Sequence, residues 1–164
     1  MRFDELSVGL TAEFGKTITD ADVVLFAGVT GDFNPVHVNG PAAERTRFGG
    51  RVAHGMLGAG LISAVLGTQL PGPGCIYMNQ TLRFTAPVRI GDTVTARVEV
   101  LELIPARRRA RLATVCRNQR GETVIEGEAL VMVPEEQPLS AIGYRLSATD
   151  LGTPKPAEAL ADSR

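Results

Sequence analysis

The sequence has no tryptophan, and all aromatic residues together make up only 5% of its 164 positions. It also lacks an excess of either charge, because 17 lysines and arginines oppose 18 aspartates and glutamates for a net charge of −1. Nucleic-acid-binding domains are usually basic, and anionic membrane surfaces attract basic patches. We therefore expect neither a nucleic acid nor a membrane as a partner.

Long apolar runs and cysteine motifs are missing as well. The longest apolar stretch, residues 56–66, is interrupted by two glycines and a serine and is too short to cross a bilayer. The N-terminus, MRFDELSVGL, has acidic residues where a secretion signal needs a continuous apolar run. Cys75 and Cys116 form neither a CxxC pair nor a zinc-ligand spacing. These absences predict a soluble, cytoplasmic protein with free thiols.

The composition that remains is typical of one globular domain. Apolar residues make up 44% and charged residues 21%, which suits a chain of this length with a buried core. Alternating apolar patterns end at Pro134. We therefore predict a domain at residues 1–134 and a C-terminal extension of unknown role at residues 135–164.

Helical patterns fill the first half of the chain. Thr19, with Asp22 three residues later, forms a weak capping box for a helix that ends at Gly31. Pro41 occupies a permitted first-turn position for a short second helix. The segment HGMLGAGLISAVLGTQL predicts a third helix that is apolar almost all round, and such a helix is buried on most of its faces.

The second half alternates apolar and polar residues. Four successive strands follow Pro73, separated by the turn sequences PVRIGD, IPA and NQRGE, and we expect them to form an antiparallel meander. A further strand is predicted at residues 11–17. One apolar helix with a curved antiparallel sheet predicts an α+β fold in which the sheet wraps around the helix. An open sheet leaves an edge strand to be covered, so we also expect a homodimer.

One loop carries groups suited to catalysis. In TGDFNPVHVN, one of only two histidines, His37, follows Asp32 by five residues, and Gly31 and Pro35 restrict the backbone. A carboxylate and an imidazole are well suited to proton transfer near neutral pH. Asn34 can brace the turn between them. The same residues also make an ordinary turn, so a purely structural interpretation stays open at this point.

A second feature lies at the start of the apolar helix. The sequence FGGRVAHGM places Gly55 where the first backbone amides have no internal acceptor and carry the positive end of the helix dipole. Because glycine has no Cβ, a ligand can approach this amide closely, as a developing oxyanion requires. A packing glycine at a tight junction explains the same residue equally well.

These motifs together resemble one enzyme family. The run FAGVTGDFNPVHVNGPAA, with VAHGM and IYMNQTLRFTAPVRIGDTV farther along, is similar to the MaoC-like (R)-specific enoyl-CoA hydratases, also called hydratase 2. The resemblance extends to about Pro134 and is closest to the short hydratases that feed polyhydroxyalkanoate synthesis. It implies the hot-dog fold, a single domain whose antiparallel sheet wraps around a long central helix. It also implies reversible hydration of a trans-2-enoyl-CoA to an (R)-3-hydroxyacyl-CoA, with no metal or organic cofactor.

The resemblance also implies roles for individual residues. Asp32 and His37 would hold one water molecule, with Asp32 as the base and His37 as the proton donor. The Gly55 amide would hold the thioester oxygen, and Asn34 would belong to the substrate-binding residues. Shared or reversed roles within the Asp–His pair stay open, because so close a pair titrates as a unit.

Further positions correspond to the substrate site of the family. Ser63 and Leu66 on the apolar helix, with Val131 on the last strand, would line the acyl pocket, although ordinary core packing fits them as well. The phosphates of CoA need cations, and Arg83 or the ARRRAR run at residues 106–111 are candidates. A charge run is more often a solvated strand face.

Other functions remain as alternatives. A hot-dog thioesterase would use the same oxyanion helix, and a hydroxyacyl-ACP dehydratase would run the reaction in reverse on a carrier protein. A non-catalytic hot-dog binding module would not need both Asp32 and His37. A metal site at Asp32, His37 and His54 lacks a recognised ligand spacing, and no GxSxG motif surrounds Ser63.

Overall fold

The computed structural model describes residues 1–135 as one five-stranded antiparallel sheet and four helices. The predicted extension, apart from Glu135, lies outside the described residues, so its boundary stays a prediction. No helix in residues 1–135 is both long and apolar enough to span a membrane. The helices are α1 (Asp20–Thr30), α2 (Pro35–Val38), α3 (Gly40–Glu44) and α4 (Gly55–Thr68), and the strands are β1 (Thr11–Thr17), β2 (Ile76–Phe84), β3 (Thr93–Ile104), β4 (Arg109–Asn118) and β5 (Thr123–Met132).

Helix α1 begins and ends where the sequence predicts. The Asp22 amide donates to Thr19 Oγ1 at 3.2 Å, and the Thr19 amide donates to Asp22 Oδ2 at 2.8 Å, which completes the capping box. The Thr19 hydroxyl, which donates to Asp22 Oδ2 at 2.7 Å, and then the Thr19 amide lower the pKa of the Asp22 carboxyl from 3.8 to about 2. The stabilisation is therefore present above pH 3.8 and is lost as the pH falls through about 2. Gly31 ends the helix with φ = 77°, a left-handed conformation that glycine adopts at low cost.

The strand order differs from the predicted four-strand meander. The sheet runs β1-β3-β4-β5-β2, so only β3, β4 and β5 form the meander, and β2 pairs with β5 at an edge. Residues 85–92, between β2 and β3, do not make a tight hairpin. Instead, this connection runs past the segment before α4, where the Ala53 amide donates to the Val88 carbonyl at 2.8 Å. Alternation in the sequence marks strands but does not specify which strands pair.

Helix α4 packs its apolar side onto the sheet as predicted, which gives the α+β hot-dog arrangement. Gly58 lies so close to β5 that a Cβ there would be 2.9 Å from Ile125 Cδ1. The prediction of burial on most faces is wrong for one side of the helix. The sheet covers a single side, and a stripe of residues four and three positions apart is exposed: Met56, Gly60, Ser63 and Gly67.

Strand β2 is an exposed apolar edge. Ile76, Met78 and Phe84 are 47%, 41% and 51% exposed, although each belongs to the apolar set of the alternating pattern. A register shift between Tyr77 and Asn79 interrupts the pairing with β5. A long apolar edge strand in a soluble domain is a surface that tends to pair with another chain.

Candidate active site

The turn after α1 orients Asp32. Its Oδ1 accepts a hydrogen bond from the Asn34 amide at 3.2 Å, and Asn34 Oδ1 in turn accepts from the Val36 amide at 3.2 Å. Asn34 thereby caps α2, with Pro35 in its first turn. The side chain of Asp32 is exposed, and its second carboxylate oxygen has no hydrogen-bond partner within residues 1–135. The turn therefore uses one oxygen of Asp32 and leaves the other available.

His37 is held by the segment that precedes α4. Its Nδ1–H donates to the carbonyl oxygen of Val52 at 2.8 Å. Because a carbonyl can only accept, this contact places the proton on Nδ1, and Nε2 of the neutral ring keeps its lone pair. Arg51 Nε donates to the His37 carbonyl at 2.5 Å, and the same guanidinium binds Asp20 at 2.7 Å. The ring is thus fixed with Nε2 as its free nitrogen.

His54 completes the cluster, although its place in the sequence suggested no role beyond that of a metal ligand. It is 3% exposed, and its Nε2–H donates to the backbone carbonyl of Asp32 at 2.9 Å. Its ring lies 3.9 Å from the His37 ring, centroid to centroid, and 4.9 Å from that of Phe26. The signal in the sequence was its position directly before Gly55. His54 therefore ties the Asp32 turn and the His37 ring to the start of α4.

The three side chains form a compact acid–base cluster. One nitrogen or carboxylate oxygen from each of Asp32, His37 and His54 lies within 4.8 Å of the others. Two groups hydrogen-bonded to one water molecule, with bonds of about 2.8 Å at a tetrahedral angle, lie roughly 4.6 Å apart. The 4.8 Å limit therefore leaves room for a single water between Asp32 and His37. His54 Nδ1 is buried and has no hydrogen-bond partner in the described part of the chain.

Gly55 is the first residue of α4 and lines a cavity together with His37. A Cβ on Gly55 would lie 2.7 Å from Phe84 Cε1, so the packing interpretation of this glycine is supported. An oxyanion role is compatible with this packing, because Gly55 also lines the cavity and the first amides of a helix have no internal acceptor.

The cavity has a volume of about 470 Å³ and a mostly apolar wall. That size lies within the usual range of small-molecule sites. It is lined by Val36, His37, Arg47, Phe48, Val52, Ala53, Gly55, Met56, Phe84, Thr85, Ala86, Pro87, Val88, Val124 and Ile125.

The predicted acyl-pocket residues do not line this cavity. Leu66 and Val131 are 1% and 0% exposed and belong to the core between α4 and the sheet. Ser63 lies on the exposed stripe of α4. The structure does not bring these three residues together with the cavity, and their role in acyl binding stays a prediction.

The predicted CoA-binding arginines also lie away from the cavity. Arg83 pairs with Glu126 at 3.4 Å, and Arg111 pairs with Glu102 at 3.0 Å and with Glu128 at 3.6 Å. These pairs join neighbouring strands on the side of the sheet that faces solvent. For Arg111 of the arginine run, pairing on a solvated strand face is therefore the structural explanation.

The fold and the site together define a class of protein. Its members have an antiparallel sheet that wraps around a central helix and a carboxylate–imidazole cluster at the N-terminus of that helix. The family model described as the MaoC like domain matches residues 7–120. The chain belongs to this MaoC-like family.

Two named relatives are similar to this chain over most of their length. A 3-hydroxybutyryl-CoA dehydratase of Methylorubrum extorquens is 56% identical over 88% of this chain and 91% of its own. An (R)-specific enoyl-CoA hydratase of Rhodospirillum rubrum is 56% identical over 80% of this chain and 91% of its own.

Solved structures agree with the fold. An R-hydratase from Pseudomonas aeruginosa, unliganded, superposes with a TM-score of 0.78 at 51% identity, covering 82% of this chain and 86% of that one. An (R)-hydratase from A. caviae, described as involved in PHA biosynthesis, has a TM-score of 0.77 at 44% identity over 79% of this chain and 98% of its own. The predicted resemblance to the (R)-specific hydratases and the hot-dog fold are therefore confirmed.

Proposed function

We propose that the protein catalyses the reversible hydration of a trans-2-enoyl-CoA to an (R)-3-hydroxyacyl-CoA. The observation that carries this proposal is the cluster of Asp32, His37 and His54, whose ligand atoms lie within 4.8 Å of one another, next to the apolar cavity that His37 and Gly55 line. The names of the relatives from R. rubrum and A. caviae support the same reaction. The product has the form that a polyhydroxyalkanoate-forming step would consume.

Catalysis begins with the bridging water. One hydrogen of the water bonds to the Asp32 carboxylate, which accepts the proton as the water oxygen attacks C3 of the enoyl group. The C2=C3 electron pair moves toward the thioester, and the developing oxyanion accepts a hydrogen bond from the Gly55 amide. The attack thus forms the C3–O bond and leaves an enolate at the end of α4.

Protonation of C2 completes the addition. In the neutral ring, Nε2 of His37 accepts a hydrogen bond, and in the imidazolium form the same nitrogen donates one, since Nδ1 is occupied by Val52. The reacting form is therefore the imidazolium, which has taken a proton from solvent at Nε2 before the substrate binds. It gives this proton to C2 of the enolate. The next water then relays the proton from Asp32 to His37 and restores the starting state. Asp32 is therefore the base and His37 the proton donor.

The test is the loss of conjugated-enoyl absorbance when the purified protein meets crotonyl-CoA, with thiol release followed in parallel. Loss without thiol release, and with an (R) product, is the expected result. Thiol release would instead identify a thioesterase.

A second candidate function is a hydroxyacyl-carrier-protein dehydratase. A mitochondrial 3-hydroxyacyl-[acyl-carrier-protein] dehydratase from Solanum lycopersicum is 34% identical over 79% of this chain. Hydration of crotonyl-acyl carrier protein with a kcat/KM above that for crotonyl-CoA would favour this alternative. If neither crotonyl-CoA nor crotonyl-acyl carrier protein reacts, the result would favour a non-catalytic binding module.

The family resemblance predicts an acyl pocket at Ser63, Leu66 and Val131 and counts Asn34 among the substrate-binding residues, although none of the four lines the cavity. Leu66→Ala should raise kcat/KM for longer enoyl chains relative to crotonyl-CoA, because the shortened side chain extends the slot. Measuring kcat/KM across chain lengths tests this, and Leu61→Ala, a buried leucine on the same helix, is the control for general core loss. An unchanged chain-length profile for Leu66→Ala would contradict the placement.

A homodimer that pairs the β2 edges would cover the exposed apolar strand. Ile76, Met78 and Phe84 are each more than a third exposed on this edge strand. Light scattering should give twice the chain mass. Met78→Lys should shift the mass toward one chain, because a charge on an edge strand opposes pairing. A wild-type protein with the mass of a single chain would rule the dimer out.

We also propose a cytoplasmic location, where acyl-CoA substrates are available. Cys75 and Cys116 are both free, and burial raises the pKa of Cys75 above its usual value and that of Cys116 to about 12. Thiols of this kind are unreactive and suit a reducing compartment that supplies acyl-CoA.

A further inference from the structure

Arg47 is a cation at the edge of an otherwise apolar cavity. Among the described residues that line the cavity, it is the only one with a permanently charged side chain. The residue is exposed, so its guanidinium lies at the mouth of the cavity rather than inside it. No carboxylate within residues 1–135 lies within 4.0 Å of it.

The backbone that carries Arg47 is held on both sides. Thr46 Oγ1 accepts from the Phe48 amide at 3.2 Å, and the Gly49 amide donates to the Thr46 carbonyl at 3.0 Å. Arg89, from the connection between β2 and β3, donates to the carbonyl of Phe48. The guanidinium of Arg47 lies over the Phe48 ring, 5.0 Å from its centroid. The Arg47 guanidinium therefore lies on a loop held by hydrogen bonds and stacks on the Phe48 ring.

Two of the arginines first considered for phosphate binding are paired with carboxylates. Arg83 and Arg111 lie beside glutamates of neighbouring strands, whereas Arg47 lines the cavity and has no such partner in the described chain. An unpaired cation beside an apolar cavity favours a ligand with an apolar end and an anionic end. A thioester on a phosphopantetheine arm has this form, since its acyl end is apolar and its phosphates stay in solvent.

We propose that Arg47 binds the phosphate end of the acyl carrier while the thioester lies in the cavity beside His37 and Gly55. CoA and acyl carrier protein share the phosphopantetheine chemistry that this site would recognise. The inference rests on the proposed function for the location of the thioester. It assigns the phosphate contact to a residue outside the arginine-rich strand β4.

The experiment compares crotonyl-CoA with crotonyl-pantetheine, which has the same reacting group but no phosphate. Arg47→Gln should raise KM for crotonyl-CoA about tenfold with kcat unchanged, as expected for one charge-assisted hydrogen bond at an exposed site. Its KM for crotonyl-pantetheine should equal that of the wild type. Arg47→Lys should keep part of the effect, and Arg45→Gln, an exposed neighbour that does not line the cavity, is the matched control.

Two results would overturn the assignment. One is an equal change for both substrates, which would mean that Arg47 shapes the cavity; the other is no change for either. Calorimetric titration with CoA itself, where Arg47→Gln should bind about tenfold more weakly, reports on the site without catalysis. If the wild type hydrates neither substrate, the proposed function fails, and the CoA titration alone still decides the role of Arg47.

The carrier is identified by repeating the comparison with crotonyl-acyl carrier protein. A larger effect of Arg47→Gln on crotonyl-CoA assigns the site to CoA, and a larger effect on the carrier-protein substrate assigns it to a protein-bound arm. Raising the salt concentration should weaken CoA binding more in the wild type than in Arg47→Gln, because salt screens exposed charges.

Discussion

Asp32→Asn should lower kcat by about 10²–10⁴-fold, the usual contribution of a positioned general base. The asparagine Oδ1 can still accept the hydrogen bond that Asp32 Oδ1 receives from the Asn34 amide at 3.2 Å, so the turn should persist. The amide lacks the negative charge that takes a proton from water. KM for crotonyl-CoA should therefore change little, while the chemical step slows.

The measurement is steady-state hydration of crotonyl-CoA, with circular dichroism to verify the fold. Asp4→Asn is a suitable control, since Asp4 is an exposed aspartate that pairs with Arg2 at 3.4 Å and does not line the cavity. It should retain wild-type kcat. If Asp32→Asn keeps more than about a tenth of the wild-type kcat, Asp32 is not the base.

The second large effect concerns stability. Gly127→Ala should lower the free energy of unfolding by about 3 kcal/mol, because a Cβ at this position would lie 1.8 Å from the Thr81 carbonyl oxygen. The conflicting atom belongs to the backbone of β2, so no side-chain rotation relieves the contact. The β2–β5 pairing, in which Gly127 faces Leu82, must shift to admit the methyl group.

Urea titration measures the difference between variant and wild type. Gly28→Ala is the matched control, since Gly28 lies in α1 with nothing within 4 Å of its ideal Cβ. That substitution should stabilise the protein by roughly 0.5–1 kcal/mol through helix propensity. Equal stabilities for Gly127→Ala and the wild type would mean that β2 does not pair with β5 in this register.

Several elements were predictable because local interactions specify them. The Thr19–Asp22 box and the Gly31 end of α1 involve contacts within a few residues, and the structure has both where the sequence predicts them. The same is true of the Asp32–Asn34 turn, whose hydrogen bonds span two residues each. Features that depend on hydrogen bonds between residues a few positions apart were therefore predictable from the sequence.

Other features depend on contacts between distant segments. The stacking of His54 on His37 and its bond to Asp32 join positions 17 and 22 residues apart, and no periodicity in the chain indicates them. The position of Arg47 at the cavity was likewise not predicted. It depends on the path of the β2–β3 connection, which the sequence does not show. The ARRRAR run drew attention by its density of charge, but glutamates on neighbouring strands pair with part of it.

The sequence by itself determined the family, the candidate loop with Asp32 and His37, and the succession of helices and strands, because ordered motifs and turn chemistry are local properties of the chain. Only the tertiary structure decided that β2 lies beside β5 and that one stripe of α4 stays exposed. It alone decided that His54 braces the site and that Arg47 stands at the mouth of the cavity. These outcomes depend on which surfaces meet in space. Alternating apolar and polar residues mark a strand, but they do not specify which strand or helix packs beside it.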